Sequence, residues 1–452
     1  MVDLNRLREI VRGGPNRPAP RELTCEPVSG DEAGADPRAV GEVLGGVPIE
    51  TAHGSCLVID RRYEADRWHG QVRVADCVVE DGGALQLLDR RLPPPDAPVD
   101  PSRVLFLDLE TTGLSGGAGT VAFVVGCGSF DDGAFQVRQF LLTSFAAERA
   151  LLAAVADFVD PASLIVTYNG KTFDLPVMET RWLFHRMEPP FGGKRHFDML
   201  HPARRLWRER RPGGGWRDQG DDGGCSLGAL ERRLVGFDRV GDVPGFEIPS
   251  RYFQFLRTGD SRPLEAVLEH NRLDLVSLAA VVARGARLVE GGAGACANAR
   301  ESLAVGKMLE RAGRLDAALA CYRQSSDGRS PIVRADALLR LAVLMRREGR
   351  YEEAAGAWRR IAALDGVTPG IEAIRRYALE ALAIHHEHRA GDLAAARTFA
   401  LEALETDERP RGQAAVRHRL ARLDRKLARV HEKGGHEAAP LLTESGPGGD
   451  QA

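Results

Sequence analysis

Two acids close an otherwise apolar run in Val104-Leu105-Phe106-Leu107-Asp108-Leu109-Glu110-Thr111-Thr112-Gly113. Read as a strand, the run places Val104, Phe106, Asp108 and Glu110 on one face and Leu105, Leu107 and Leu109 on the other. Apolar residues on both faces fit a strand covered on both sides. Carboxylates at its end are costly unless neutralised, by basic groups or by a metal ion. Two later segments each bring another acid in an unusual setting: Tyr168-Asn169-Gly170-Lys171-Thr172-Phe173-Asp174-Leu175-Pro176, and His270-Asn271-Arg272-Leu273-Asp274. His270 precedes Asp274 by one helical turn, so the two share a face. Plainer roles exist for each: strand-end turn residues for Asp108 and Glu110, a helix N-cap for Asp174, an ordinary half-buried side chain for His270, a solvated helix residue for Asp274, and a structural role for Asp198.

The surrounding pattern supplies the elements to hold them. Thr120 to Ser129 reads as a second strand, Asp131-Asp132-Gly133 as a hairpin turn, and Phe135 to Leu142 as a third strand. Ala146 to Val159 has helical periodicity, Ser163 to Tyr168 is a fourth strand, and Asp174 to Met187 a helix with Pro176 in its first turn. The order β-β-β-α-β-α predicts a mixed sheet with helices on its faces. Pro263 to Val289 reads as a long amphipathic helix with a stripe of Leu264, Val267, Leu268, Leu275, Leu278 and Val282. Before the catalytic candidate region, Ser55 to Ile59 and Val72 to Val79 look like short strands.

The chain has 452 residues, 43% hydrophobic and 28% charged, with a formal net charge of −3. That is ordinary for a soluble globular protein of two or three domains and gives no global pull toward nucleic acid or membrane. No apolar run has the length of a membrane span and the N-terminus lacks a signal-peptide core, which makes a cytoplasmic location the default. Seven dispersed cysteines without CxxC spacing argue against both a disulfide framework and a zinc site.

In order, the acids read DxE, D and HxxxD, and here the chain resembles the DEDD exonucleases of the ribonuclease H-like superfamily. The wider pattern resembles one group among these more closely still, the YprB-type predicted exonucleases that carry tetratricopeptide repeats. His196-Phe197-Asp198-Met199-Leu200-His201-Pro202-Ala203-Arg204-Arg205-Leu206-Trp207, Asp242-Val243-Pro244-Gly245 and Arg251-Tyr252-Phe253 fit that group. The resemblance covers roughly residues 50 to 430. It implies a ribonuclease H-like fold with a five-stranded mixed sheet, 3′→5′ polarity, and two Mg²⁺ or Mn²⁺ ions held by Asp108, Glu110, Asp174 and Asp274, with Asp108 bridging. Mg²⁺ takes oxygen ligands, and a pair of such ions can clamp a scissile phosphate. His270 stands where a general base should, at the spacing that the tyrosine subclass uses for its Tyr. Thr111, Asn169 and Lys171 are candidates for substrate contact.

Residues 181 to 217 hold ten Arg and Lys against three Asp and Glu, with Trp182, Trp207 and Trp216 interleaved. Such a region can neutralise phosphates and stack bases; a solvated Arg-rich surface is the plainer reading. Single-stranded DNA or RNA is the expected substrate, with no membrane partner. Beyond Gly291-Gly292-Ala293-Gly294-Ala295 the chain becomes helical. Gly313-Arg314-Leu315-Asp316-Ala317-Ala318 recurs around Gly349 and, more loosely, Gly391, glycines 36 and 42 residues apart. A period near 34 with Gly between paired helices resembles the tetratricopeptide repeat, whose groove would take an unknown protein partner. The expected domains are an irregular segment over 1–48, a β-rich extension and Pro-rich linker over 49–100, the exonuclease domain over 101–290, a linker over 291–298, repeats over 299–432 and an irregular tail over 433–452. The rival functions are a structure-specific endonuclease and a repeat scaffold that binds nucleic acid with weak or no cleavage.

Overall fold

A computed structural model describes residues 36–79, 81–94, 99–113, 119–208, 224–364, 370–406 and 410–436. Its centre is β5 (Val104–Thr111), whose alternating side chains serve two different cores: Val104 and Phe106 pack in one, Leu105, Leu107 and Leu109 in the other. On one side β5 pairs antiparallel with β6 (Ala122–Asp131), which turns through Asp132 and Gly133 into β7 (Ala134–Leu141). On the other side β5 pairs parallel with β8 (Leu164–Thr167), and β8 with β9 (Arg195–Asp198). A mixed sheet flanked by helices is what the sequence pattern predicts.

Among the described residues the sheet has seven strands rather than the expected five; with β1 (Val47–Thr51) and β2 (Gly54–Tyr63) the order is β1-β2-β7-β6-β5-β8-β9. The two added strands come from the N-terminal extension. β1 and β2 form a hairpin, and β2 pairs antiparallel with β7 along its length. Cys56, Leu57, Val58 and Ile59 are buried there, so covering the β7 edge buries a row of apolar residues as well. Of the segment expected to be irregular up to residue 48, the described part from residue 36 is ordered into a helix and the start of a strand. Asp36 caps α1 (Pro37–Leu44), accepting from the Arg38 amide at 3.0 Å, and Val40 and Leu44 are buried. Of the expected strand Val72 to Val79 only a two-residue ribbon forms, Trp68–His69 (β3) with Val72–Arg73 (β4), before a turn of 3₁₀ helix at Ala75–Cys77. Residues 1–35, 209–223 and 437–452 lie outside the described residues.

Helices flank the sheet: α2 (Gly82–Leu88), α3 (Glu148–Val159), α4 (Asp174–Phe184), α5 (Leu200–Trp207), α6 (Leu227–Leu230, continued by a π turn Glu231–Val235), α7 (Ile248–Thr258) and the long α8 (Pro263–Gly291). All six residues of the predicted α8 stripe are buried. Leu264, Val267 and Leu268 pack in the same core as Leu105 and Leu107; from Leu275 onward the helix packs with Val104 and Phe106. Residues 269–274 therefore lie at the seam between the two cores.

The C-terminal region is helical: α9 (Ala299–Arg311), α10 (Leu315–Ser326), α11 (Pro331–Arg347), α12 (Tyr351–Ala362), α13 (Glu372–His385), α14 (Leu393–Glu405) and α15 (Pro410–His436). Gly313, Gly349 and Gly391 each take positive φ between helices (78°, 78° and 69°), a conformation glycine adopts without strain. Tyr322 and Trp358 are buried at the helix interfaces. Residues 292–295 form a 3₁₀ turn, and one continuous apolar core runs from Phe106 through Val282 and Leu309 to Trp358. The described cysteines (56, 77, 127, 225, 296 and 321) are free and buried.

Candidate active site

Asp108 and Glu110 ride on the last turns of β5 before its register shifts between Glu110 and Thr111. Directly across the sheet from Asp108 stands Gly126 of β6, and across from Gly126 stands Gln139 of β7. Asn271 of α8 lies on this row. Its amide nitrogen donates to Asp108 Oδ2 at 2.8 Å, and its oxygen accepts from Gln139 Nε2 at 2.8 Å. Gln139 also donates to the Leu268 carbonyl at 2.9 Å, so a fully buried side chain fixes the helix to the sheet at this point. Only glycine fits at 126, since a Cβ there would stand 2.1 Å from Asn271 Oδ1.

Asp174 arrives from a different direction. Asp198, fully buried at the end of β9, accepts from the amides of Asn169 (2.8 Å), Lys171 (3.1 Å) and Leu200 (3.0 Å). This ties the loop before α4 to the sheet and makes Asp198 a support for that loop. Asn169 adopts φ of 71°, as an Asn-Gly turn allows. Asp174 is then the first residue of α4, buried, with its carboxylate taking the Leu109 amide of β5 and the dipole of its own helix.

His270 and Asp274 project from one face of α8, with His270 Nε2 3.6 Å from Asp274 Oδ2. Behind them stands Arg239. Its guanidinium donates to Asp274 Oδ1 (2.5 Å), Asp242 Oδ2 (3.2 Å) and Glu231 Oε2 (2.7 Å). Glu231 is buried and also takes the Ser277 hydroxyl, whose oxygen is 2.8 Å from His69 Nε2.

The three segments thus bring Asp108, Glu110, Asp174 and Asp274 within reach of one another's charge. Burial pushes the Asp108 carboxyl well above its ordinary value; the charges of Asp274, Glu110 and Asp174 add to this, against the Asn271 amide. Burial likewise raises Glu110 well above its ordinary value, helped by Asp274, Asp174 and Asp242 and opposed by Arg239. Burial, with Asp198 and Asp274, lifts Asp174 to about 7 despite the amides bonded to it. Four hard oxygen donors that destabilise one another suit a divalent cation in charge and in chemistry. Among the described residues, however, no three His, Cys, Asp or Glu side chains are drawn together closely enough to hold a metal ion. The competing partners are visible: Arg239 takes an oxygen of Asp274, and Asn271 takes one of Asp108.

The three residues expected to touch substrate have partners inside the protein. The Thr111 hydroxyl donates to the Gly113 carbonyl (2.9 Å), Asn169 Oδ1 accepts from Thr172 (2.8 Å), and Lys171 Nζ is 3.1 Å from Asp89. Over its described part, residues 181–208, the basic, tryptophan-rich stretch does not form an exposed aromatic and basic surface as expected. Trp182 and Trp207 are core residues, their indole N–H groups donating to the Leu152 carbonyl and to Glu301. Arg181 is paired with Glu148, Lys194 bonds the Asp160 and Ala162 carbonyls, and Arg205 bonds the Leu88 carbonyl. Trp216 lies outside the described residues. Arg239, Gln139 and Gly126 carry no periodic or spacing signal in the sequence; Asn271 has one, its place between His270 and Asp274.

The stretch that builds this site, residues 105–284, matches the family model of the RNase_H superfamily. Such a domain implies a hydrolase of the nuclease class, and RNase H-like nucleases generally use divalent metal ions. Beyond the domain, the chain is 31% identical over 335 residues to "Uncharacterized protein YprB" of Bacillus subtilis (strain 168), covering 72% of this chain and 76% of that protein. The chain belongs to the family of that protein. No described helix is long and apolar enough to cross a membrane.

Proposed function

We propose that this chain is a metal-dependent 3′→5′ exonuclease of the DEDD type that hydrolyses single-stranded nucleic acid. What supports the reading is the crowding of charge at Asp108, Glu110 and Asp174, with Asp274 of a third segment raising the carboxyl pKa of all three. A nuclease site is one of the few arrangements in which such crowding is useful. The carboxylates would hold two Mg²⁺ or Mn²⁺ ions, which supply charge stabilisation for the phosphodiester and acidify water. His270, with Nε2 on the Asp274 side, accepts the proton of the attacking water. Asn271 keeps Asp108 oriented, and Asp198 keeps the loop of Asp174 in place. The polarity follows from the DxE, D, HxxxD resemblance. The helices from α9 onward are tetratricopeptide-like repeats that recruit a protein partner.

The pairing of Asp274 with Arg239 favours a second reading, a scaffold that binds nucleic acid and cuts poorly. End-labelled single strands with Mg²⁺ or Mn²⁺ separate the two. A ladder shortening from the 3′ end supports the exonuclease, and cleavage of a circular strand indicates an endonuclease. No cutting, with Asp108→Ala indistinguishable from wild type, leaves the scaffold.

A further inference from the structure

His270 touches a second acid. Its Nδ1 lies 2.7 Å from Asp242 Oδ1, on the side of the ring away from Asp274. An ionised carboxylate only accepts hydrogen bonds, so Nδ1 of the neutral ring must carry the proton and Nε2 the lone pair. Nε2 is the nitrogen that faces Asp274. Asp242 thereby selects both the orientation and the tautomer of His270.

Asp242 is itself held. Its Oδ1 accepts from the Val243 amide at 2.9 Å and its Oδ2 from Arg239 at 3.2 Å. Arg239 is anchored on Glu231, which the Ser277 hydroxyl also meets within the protein. Buried Val243 pins the loop from the other side, and the Glu247 amide closes it on the Pro244 carbonyl. A carboxylate with this many fixed partners does not turn away from the histidine.

We infer that Asp242 is a positioning residue for the nuclease reaction, acting on the chemistry chiefly through His270. This rests on the reading of His270 as the proton acceptor. It also accounts for the spacing: a histidine four residues before Asp274 needs an external partner to aim its Nε2 along the helix face, and Asp242 is that partner.

The test uses the full chain and a 5′-labelled single-stranded oligodeoxynucleotide with Mn²⁺. Asp242→Ala is expected to lower kcat by about 10- to 100-fold, the usual effect of removing a hydrogen-bonded partner behind a working ligand, with KM within about twofold. In a His270→Ala background the same substitution should change kcat by less than about twofold, because nothing is left to position. Equal losses in both backgrounds overturn the inference. A second readout needs neither nuclease activity nor the Asp242 variant. The ¹⁵N shifts of the neutral His270 ring, assigned by their loss in His270→Ala, should show the Nδ1–H tautomer in wild type; an Nε2–H ring overturns the inference. Should the wild type cut nothing, the proposed function falls and the ring shifts still decide the role of Asp242.

Discussion

The crowded carboxylates should make the metal-free protein less stable as pH rises, and Asp174 gives the size of the effect. Its carboxyl is lifted from 3.8 to about 7, first by burial and then by Asp198 and Asp274. The folded state therefore holds a proton that the unfolded state has lost between about pH 4 and pH 7. Stability is fully present below pH 4 and is lost as pH rises through 7. At ~1.36 kcal/mol per pH unit, the gap is worth about 4 kcal/mol, shared across the coupled acids. Asp174→Asn removes the charge and keeps the shape. Urea unfolding in EDTA, followed by circular dichroism at pH 5 and pH 8, should find the variant gaining on wild type by about 3 kcal/mol between the two, the part of the gap that lies above pH 5. Adding Mg²⁺ at pH 8 should stabilise the wild type and close that gap, because a cation bound only by the folded state shifts the equilibrium toward it. A difference between variant and wild type that stays flat from pH 5 to pH 8 would refute the convergence of these carboxylates, and the metal reading with it.

Three other substitutions test single packing and charge contacts, one at the site and two elsewhere in the fold. Gly126→Ala should drive Asn271 off Asp108, since the new Cβ would stand 2.1 Å from Asn271 Oδ1; overpacking of this kind costs about 1–3 kcal/mol, measurable by urea unfolding, and cleavage should fall with it. Arg181→Ala should destabilise the fold by about 3–5 kcal/mol, because it removes the guanidinium that pairs the buried Glu148 and leaves His185 against it; an unchanged thermal midpoint would contradict this. Burial pushes Glu387 up, but hydrogen bonds from Arg422 and Lys426 overcome it and hold the carboxyl at about 2. The stability it contributes is present above about pH 4.5 and lost as pH falls through 2, so the hydrogen-exchange protection of α13 and α15, relative to the intrinsic rate at each pH, should fall in acid, and Glu387→Gln should remove that dependence.

The sheet was legible because its strands obey a period of two. The alternation along residues 104–110 puts Phe106 and Leu107 into separate cores, as the pattern requires. The α8 stripe was legible for the same reason at the helical period. What escaped depends on contacts between distant segments. Nothing local in Gly126 says that a helix 145 residues later will press an asparagine against it. Arg239 reads as one more arginine in an arginine-rich chain, yet its three bonds reach Glu231, Asp242 and Asp274. The aromatic-basic stretch misled because composition does not report direction: Trp182 and Trp207 face inward, where their rings fill cores. β2 was read as a strand in part, over Ser55 to Ile59, and β1 not at all, because an edge can recruit them only once β7 exists.

The position of α8 bears on how the helical C-terminal region relates to the site. The same helix presents Asn271 to Asp108, His270 to Asp242 and Asp274 to Arg239, and then continues to Gly291. Gly285 lets it lie against Met199 and Leu88, where a Cβ would come within 2.9 Å of the methionine. One residue earlier, Arg284 bonds Glu301 of α9, 3.3 Å away. Glu301 is buried, and it also takes the Trp207 indole of α5 at 3.0 Å and the Ala297 amide at 2.9 Å. One carboxylate thus joins α5, α8 and α9. From Arg284 back to Asp274 is ten residues of unbroken helix, about 15 Å. A force that displaces α9 is therefore met by the helix that carries three of the residues at the site, without a flexible segment between them to absorb it.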